Sequence, residues 1–273
     1  MAQTLIIAEA GINHGGSIDK AKKLISAAKK AGADIVKFQT YTTEKRVSKG
    51  NPAFKVLKQC ELSFEQQCSL KKFANNTGIE FLSTAFDEEA AEFLVQDLGL
   101  SRIKLASFDV ANLKLLGAIN KLAKKNKKLN VILSTGMSNM NEIMKALKEM
   151  GSVKDLTLLY CKSAYPPKEE ELNLNCIQSM CNVFDSRATI GYSNHVKSPL
   201  IPALSVLLGA EVIEAHFMTS ECDKCVDSPV SLSTKVFGEM VKNVRRFERM
   251  LGDGEIKMEE CEKANLIFKR TTT

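Results

Sequence analysis

Two rhythms of apolar residues alternate along this chain. Short apolar runs fall at Leu5–Ala8, Asp34–Gln39, Glu80–Thr84, Arg102–Ala106, Val131–Thr135, Leu156–Cys161, Ala188–Tyr192 and Glu211–Ala215. Each reads as a β-strand. Between most of them, apolar residues recur at helical spacing. The first helix is the clearest: Ser17 is a candidate N-cap, Ile18, Ala21, Leu24, Ile25 and Ala28 form one stripe, and Gly32 ends it. Helix–glycine–strand punctuation recurs at Ala31-Gly32-Ala33-Asp34 and Leu208-Gly209-Ala210-Glu211. Strands alternating with helices predict βαβ units and a parallel sheet. Eight such units without a dinucleotide fingerprint predict a (β/α)8 TIM barrel rather than a doubly wound sheet, with residues 1–273 as one domain.

Two segments depart from this rhythm. Lys45–Gln59, with Gly50-Asn51-Pro52, reads as an extended loop of the length that functional loops have. After Gly252-Asp253-Gly254 a last charged helix is expected to run to Phe268.

Composition narrows the class. A chain of 273 residues, 44% of them hydrophobic, can bury one sizeable core. No apolar stretch is long enough for a membrane span, and Met1-Ala2-Gln3-Thr4 carries no secretory signal, so a cytoplasmic protein is expected. The net charge of +6 comes mainly from lysines on helix faces, and tryptophan is absent. This favours a solvated surface over a nucleic-acid interface. Eight cysteines in a chain without a leader are expected to be reduced, and Cys222-Asp-Lys-Cys225 lacks the second pair a zinc site would need.

Candidate chemistry gathers at the strand ends. The three histidines, His14, His195 and His216, each closely follow an apolar run. In a parallel barrel, consecutive strand ends face one pocket, and imidazoles there can bind a transition metal. Polar residues stand where a core strand needs none: Glu9, Lys37, Gln39, Ser83, Thr84, Lys104, Ser107, Asp109, Ser134, Thr135, Lys162, Ser163, Ser193 and Asn194. A lysine inside an apolar run costs several kcal/mol unless it is paired. Lys37 and Lys104 therefore call for partners, Glu9 among them, or for an anionic ligand such as a phosphate or carboxylate.

Glu9-Ala-Gly-Ile-Asn-His14, Lys37-Phe-Gln39-Thr40, Leu82-Ser-Thr84, Lys104-Leu-Ala-Ser107, Leu133-Ser-Thr-Gly-Met137, Tyr165-Pro, Gly191-Tyr-Ser-Asn-His195 and Ile213-Glu-Ala-His216-Phe217 occur in this order. Together they resemble the sialic acid synthase family. Its members condense phosphoenolpyruvate with an N-acyl hexosamine to give sialic, legionaminic or pseudaminic acids. The resemblance runs from about Ile6 to Arg270. It implies that His195 and His216 hold a divalent metal, usually Mn2+, with Mg2+ or Co2+ as alternatives. It implies that Glu9 handles protons beside that metal. Lys37, Thr84, Lys104, Ser107, Ser134 and Ser193 would bind phosphoenolpyruvate, and Gln39, Tyr165 and Asp227 the sugar. It further implies a homodimer in which a small antifreeze-like domain covers the partner's site.

The chain departs from the family pattern at four points. Asp109 stands where a glutamate is usual and is the candidate for stabilising positive charge at C2 of phosphoenolpyruvate. Asn194 replaces an aspartate, and Ala215 replaces a lysine. The antifreeze-like domain that usually follows Arg270 is absent from the sequence, so a separately encoded lid is one expectation. The alternatives are a sister phosphoenolpyruvate-dependent 3-deoxy-ulosonate synthase, a Schiff-base aldolase using Lys37 or Lys104, and a lidless barrel that binds a ligand or partner without turnover.

Overall fold

A computed structural model describes residues 3–220 and 223–270. Eight parallel strands close into a barrel: β1 (Leu5–Gly11), β2 (Ile35–Thr40), β3 (Glu80–Ala85), β4 (Arg102–Leu105), β5 (Asn130–Ser134), β6 (Asp155–Tyr160), β7 (Thr189–Asn194) and β8 (Val212–Met218). Closure comes from β1 pairing with β8, in register from Leu5 with Val212 to Glu9 with His216. A two-residue strand, β9 (Leu232–Ser233), adds to the end of β8. The expected (β/α)8 TIM barrel is the observed fold.

The helices wrap the strands as α1 (Ile18–Ala31), α2 (Thr43–Arg46), α3 (Phe54–Cys60), α4 (Phe64–Thr77), α5 (Glu88–Glu92), α6 (Leu113–Lys125), α7 (Met140–Glu149), α8 (Asn175–Phe184), α9 (Ile201–Leu204) and α10 (Thr234–Leu251). In α1 the Ser17 side chain accepts from the Lys20 N–H, and Gly32 takes the left-handed conformation (φ 88°) that closes the helix. The inner stripe Ala21, Leu24, Ile25 and Ala28 is buried against the sheet. None of the helices is long and apolar enough to cross a membrane.

Two expectations are corrected. Lys45–Gln59 is not an extended loop: it contains the end of α2 and most of α3. Leu57 and Cys60 bury against Ile12 and Tyr41, which gives this crossover a small core of its own. Glu61 ties its two ends, accepting from both the N–H and the hydroxyl of Thr43. The last helix also differs. The packed one is α10, whereas Glu260–Phe268 forms an exposed 3-10 helix. None of the seven described cysteines is in a disulfide, and Cys222 lies outside the described residues.

The barrel interior is layered by the two-residue pleat of its strands. One layer is apolar: Ile7, Ile35, Leu82, Ile132, Leu159 and Val212 form a separate buried cluster inside the barrel. Two residues further along the same strands come Glu9, Lys37, Thr84, Ser134, Cys161 and Glu214. A dry plug thus supports a polar layer at the C-terminal mouth.

Candidate active site

A cleft of about 230 Å³ opens on that polar layer. Of the residues to which the resemblance gives a role, all line it except Asp109; of the other strand-end candidates, His14, Ser83, Thr135, Lys162, Ser163 and Asn194 do not. Arg46, Cys161 and Glu214 line it as well and had no role assigned from sequence.

At its floor lies a buried network of opposite charges. Lys37 Nζ is 2.7 Å from Glu9 Oε2 and 3.4 Å from Glu214 Oε2, and it donates to Thr84 Oγ1 at 3.1 Å. Lys104 Nζ is 3.7 Å from Glu214 Oε1 and donates to Ser134 Oγ at 2.7 Å. Ser193 Oγ donates to Glu214 Oε1 at 3.0 Å. Burial disfavours every one of these charges, and pairing with the opposite charge favours them. For Lys37, Glu214 and Glu9 outweigh burial and raise its pKa. For Lys104, burial wins and lowers the pKa, with Glu214 opposing and Lys37 assisting. Burial would push Glu214 up, but Lys104 and Lys37 hold it below the usual carboxylate range. A lysine locked as an ammonium between two carboxylates is no nucleophile, so Lys37 is unsuited to a Schiff base. It suits an anion held above it.

The sheet wall beside Lys104 is built for close approach. Ser107 Oγ accepts from the Gly136 N–H at 3.0 Å and lies 3.2 Å from Cys161 Sγ. A Cβ on Gly136 would stand 2.3 Å from Ser163 Oγ and 2.9 Å from Cys161 Sγ, so any side chain there would displace these two groups. The Ser163 hydroxyl is buried without a partner.

The opposite wall carries the imidazoles. The His195 and His216 ring centroids are 5.4 Å apart, with planes inclined by 59°. Two imidazoles on one ion, each bound at roughly 2.1 Å, would have centroids roughly 4.5–5.5 Å apart, so the pair fits a shared metal. His195 Nδ1 donates to the Lys162 carbonyl at 2.6 Å, which leaves Nε2 as a bare lone pair. Burial, assisted by His216, lowers the His195 pKa to about 4, so the ring is neutral as a ligand must be. His216 Nδ1 is buried without a hydrogen bond, and Asp227 Oδ2 stands 3.5 Å from it. Burial opposes charge on His216, but Asp227 outweighs it and raises the pKa. Among the described residues no group of three or more His, Cys, Asp or Glu side chains is placed to hold an ion. The protein's share of a metal would be these two imidazoles, with the other positions open to water and substrate. Tyr165 packs on His195, centroids 4.3 Å apart.

Gln39 connects the walls. Its Nε2 donates to Glu9 Oε1 at 3.3 Å and its Oε1 accepts from Arg46 Nη1 at 2.9 Å, which fixes the amide orientation. Asp109 lies behind the lining, on the turn Ser107–Asp109. Its Oδ1 accepts from Asn112 at 3.0 Å and its Oδ2 is buried unpaired. Burial raises its pKa. Asn194 is fully buried, donating to the Val196 carbonyl at 2.7 Å, and so shapes the turn that carries His195. The third histidine serves the fold. His14 does not line the cleft; its Nδ1 accepts from the Gly16 N–H at 3.0 Å and its ring packs on Phe38.

Comparison with known proteins shows the family to which the chain belongs. A family model described as the NeuB family matches residues 24–256. The uncharacterized protein MJ1065 of Methanocaldococcus jannaschii is 42% identical over 254 residues, covering 92% of this chain and 73% of its own. The N,N'-diacetyllegionaminic acid synthase of Legionella pneumophila is 36% identical, covering 94% of this chain and 76% of its own. Among solved structures, the N-acetylneuraminic acid synthetase of Leptospira borgpetersenii, in complex with citrate, superposes with a TM-score of 0.90 at 32% identity. That match covers 98% of this chain and 91% of the other.

Proposed function

Since the chain belongs to the NeuB family and is an enzyme of the nonulosonic acid synthase type, we propose that it condenses phosphoenolpyruvate with an N-acyl hexosamine, releasing phosphate. The observation that carries this reading is the cleft's division of labour: two buried lysines with hydroxyls at one end, two facing imidazoles at the other.

Each residue has a part in that chemistry. Lys37 and Lys104 bind the phosphate and carboxylate of phosphoenolpyruvate, and Thr84, Ser107, Ser134 and Ser193 add hydrogen bonds. Gln39, Tyr165 and Asp227 orient the sugar. His195 and His216 would hold a divalent metal, Mn2+ in this reading with Mg2+ or Co2+ as substitutes, and its Lewis acidity would serve the sugar aldehyde. C3 of phosphoenolpyruvate bonds to the aldehyde carbon, the C=O π pair moves onto the sugar oxygen, which takes a proton to become a hydroxyl, and C2 is left electron-poor. Asp109 stabilises that centre through its charge from behind the wall. Water adds at C2 while Glu9 takes its proton, and the C–O bond to phosphate then breaks as the new C2 hydroxyl gives its proton to the departing phosphate, leaving the C2 ketone.

The test is incubation with phosphoenolpyruvate, Mn2+ and a panel of N-acyl hexosamines, with products read by mass spectrometry. With 18-oxygen in the bridging position of phosphoenolpyruvate, the label is expected in phosphate. Label retained in the sugar acid would overturn the mechanism. His216→Ala is expected to abolish turnover, and a fully active variant would remove the metal role.

A cytoplasmic homodimer belongs to the same reading, as does a covering lid domain, encoded separately or not. Phe108, Met137 and Tyr165 stand exposed at the mouth and would give such a cover apolar contacts. Light scattering at high concentration should show a dimer; a monomer throughout would count against direct barrel–barrel contact.

A further inference from the structure

Arg46 closes α2 and turns its guanidinium into the cleft wall. Its Cζ lies 3.6 Å from the Phe86 ring centroid and 4.6 Å from that of Tyr41. These two rings meet edge to face at 87°, so the guanidinium sits in an aromatic corner. Such a corner holds the planar group by cation–π attraction and strips water from it. Nη1 donates to Gln39, the one hydrogen bond of this side chain among the described residues. No carboxylate stands within 4.0 Å of it among them. A guanidinium cannot shed its charge, so its remaining donors are held ready for an acceptor that enters the cleft.

Its position says which substrate that is. Gln39 separates Arg46 from Glu9, and Glu9 separates it from Lys37. Arg46 therefore stands three contacts along the polar chain from Lys37. It is on the side of Gln39, which orients the sugar. Phosphoenolpyruvate already has two cations for its two anionic ends, and a neutral sugar needs no third.

We propose that Arg46 binds an anionic substituent on the acceptor, remote from its aldehyde, so that the preferred acceptor is a charged N-acyl hexosamine rather than a neutral one. The proposal rests on the synthase reading above and adds the class of acceptor. Phosphate ester and carboxylate share the required chemistry, since both present coplanar oxygen pairs to the guanidinium fork.

The experiment compares kcat and KM for an N-acyl hexosamine, its 6-phosphate and its 6-carboxylate in the wild type, Arg46→Lys and Arg46→Gln. The wild type is expected to favour one of the charged acceptors by about tenfold or more in kcat/KM, the scale of one charge-assisted hydrogen-bond pair. Which one it favours separates phosphate from carboxylate. Arg46→Gln should erase that preference by raising KM for the charged acceptor more than for the neutral one, and more than KM for phosphoenolpyruvate. Arg46→Lys, which keeps the charge and loses the fork, should retain part of it. A wild type that uses the neutral acceptor as well as either charged one would overturn the proposal. So would an Arg46→Gln variant that weakens all acceptors equally. If no acceptor is turned over, the synthase reading fails. Calorimetric binding of hexosamine 6-phosphate to wild type and Arg46→Gln then still decides the role of Arg46: binding lost in the variant supports it, and equal binding overturns it.

Discussion

Lys37→Met is expected to destabilise the protein by about 3–5 kcal/mol near neutral pH and to remove measurable turnover. The ammonium is the partner of two carboxylates, Glu9 and Glu214, both buried. Removing it leaves Glu9 with no cation within 4.0 Å among the described residues and Glu214 with Lys104 alone, and breaking a buried network in this way costs about 3–5 kcal/mol. The pH dependence follows from the sign of the shifts. In the wild type, Lys104 and Lys37 hold the pKa of Glu214 below its unfolded value despite burial. Its stabilising contribution is therefore full above the unfolded pKa and fades as pH falls through the folded one. In the variant Glu214, left with Lys104 alone, gains stability by taking up a proton. The gap between wild type and variant should therefore narrow towards acid pH. Urea denaturation at a series of pH values measures this; a constant gap, or none at neutral pH, would refute it. Loss of a preorganised cation facing the phosphate is expected to cost at least about 10³-fold in turnover, measured as phosphate release.

The second large effect is mechanical. Gly191 lies two residues before Ser193 on β7, at the level of the apolar plug. A Cβ there would stand 2.4 Å from the Val212 carbonyl oxygen, 2.6 Å from Leu159 Cδ2 and 2.8 Å from Val212 Cβ. The backbone of Gly191 is not in a left-handed conformation, so alanine suits the strand in every respect but space. Relief requires parting β7 from β8, which are hydrogen-bonded at this level. Gly191→Ala is expected to cost about 3 kcal/mol, at the upper end for overpacking a core. Because Ser193 and Glu214 ride on the displaced strands, activity should fall with stability. A denaturation midpoint unchanged from wild type would show that the plug has room to spare.

The barrel was legible in the sequence because strand and helix periods differ, and the glycines between them mark the ends. All eight strand positions agree with the structure to within a few residues. The polar layer was legible for a related reason: a lysine in Ile-Val-Lys-Phe is anomalous wherever that strand lies. The sequence could not say that Lys37 is both paired with Glu9 and open to the cleft. Glu214 went unassigned although it is equally anomalous in Val-Ile-Glu-Ala-His. Its neighbour His216 drew the chemical reading, and its partners are remote in sequence. The same charge-in-an-apolar-run test would have found it. Arg46 was hidden differently. It lies in a polar stretch where one more cation carries no signal, and only the packing of Tyr41 and Phe86 makes it special. Asp109 shows the converse: a strand-end carboxylate read as lining the site, which the turn after β4 sets behind its wall.

Barrel closure by β1 and β8 has a consequence for how the chain is made. A ribosome delivers Lys37 and Lys104 long before it delivers Glu214, the carboxylate that stands between them. Until the last strand emerges, a nascent barrel of seven strands has an open seam at β1, Lys37 has Glu9 alone, and Lys104 lacks the carboxylate it will share with Lys37. Such an intermediate cannot dry its floor without burying Lys104 away from any carboxylate. Desolvation of the site is therefore deferred to the docking of β8, the step that also brings His216 beside Glu9. Catalytic competence and topological closure arrive in a single event, and a chain stalled short of residue 214 would hold neither.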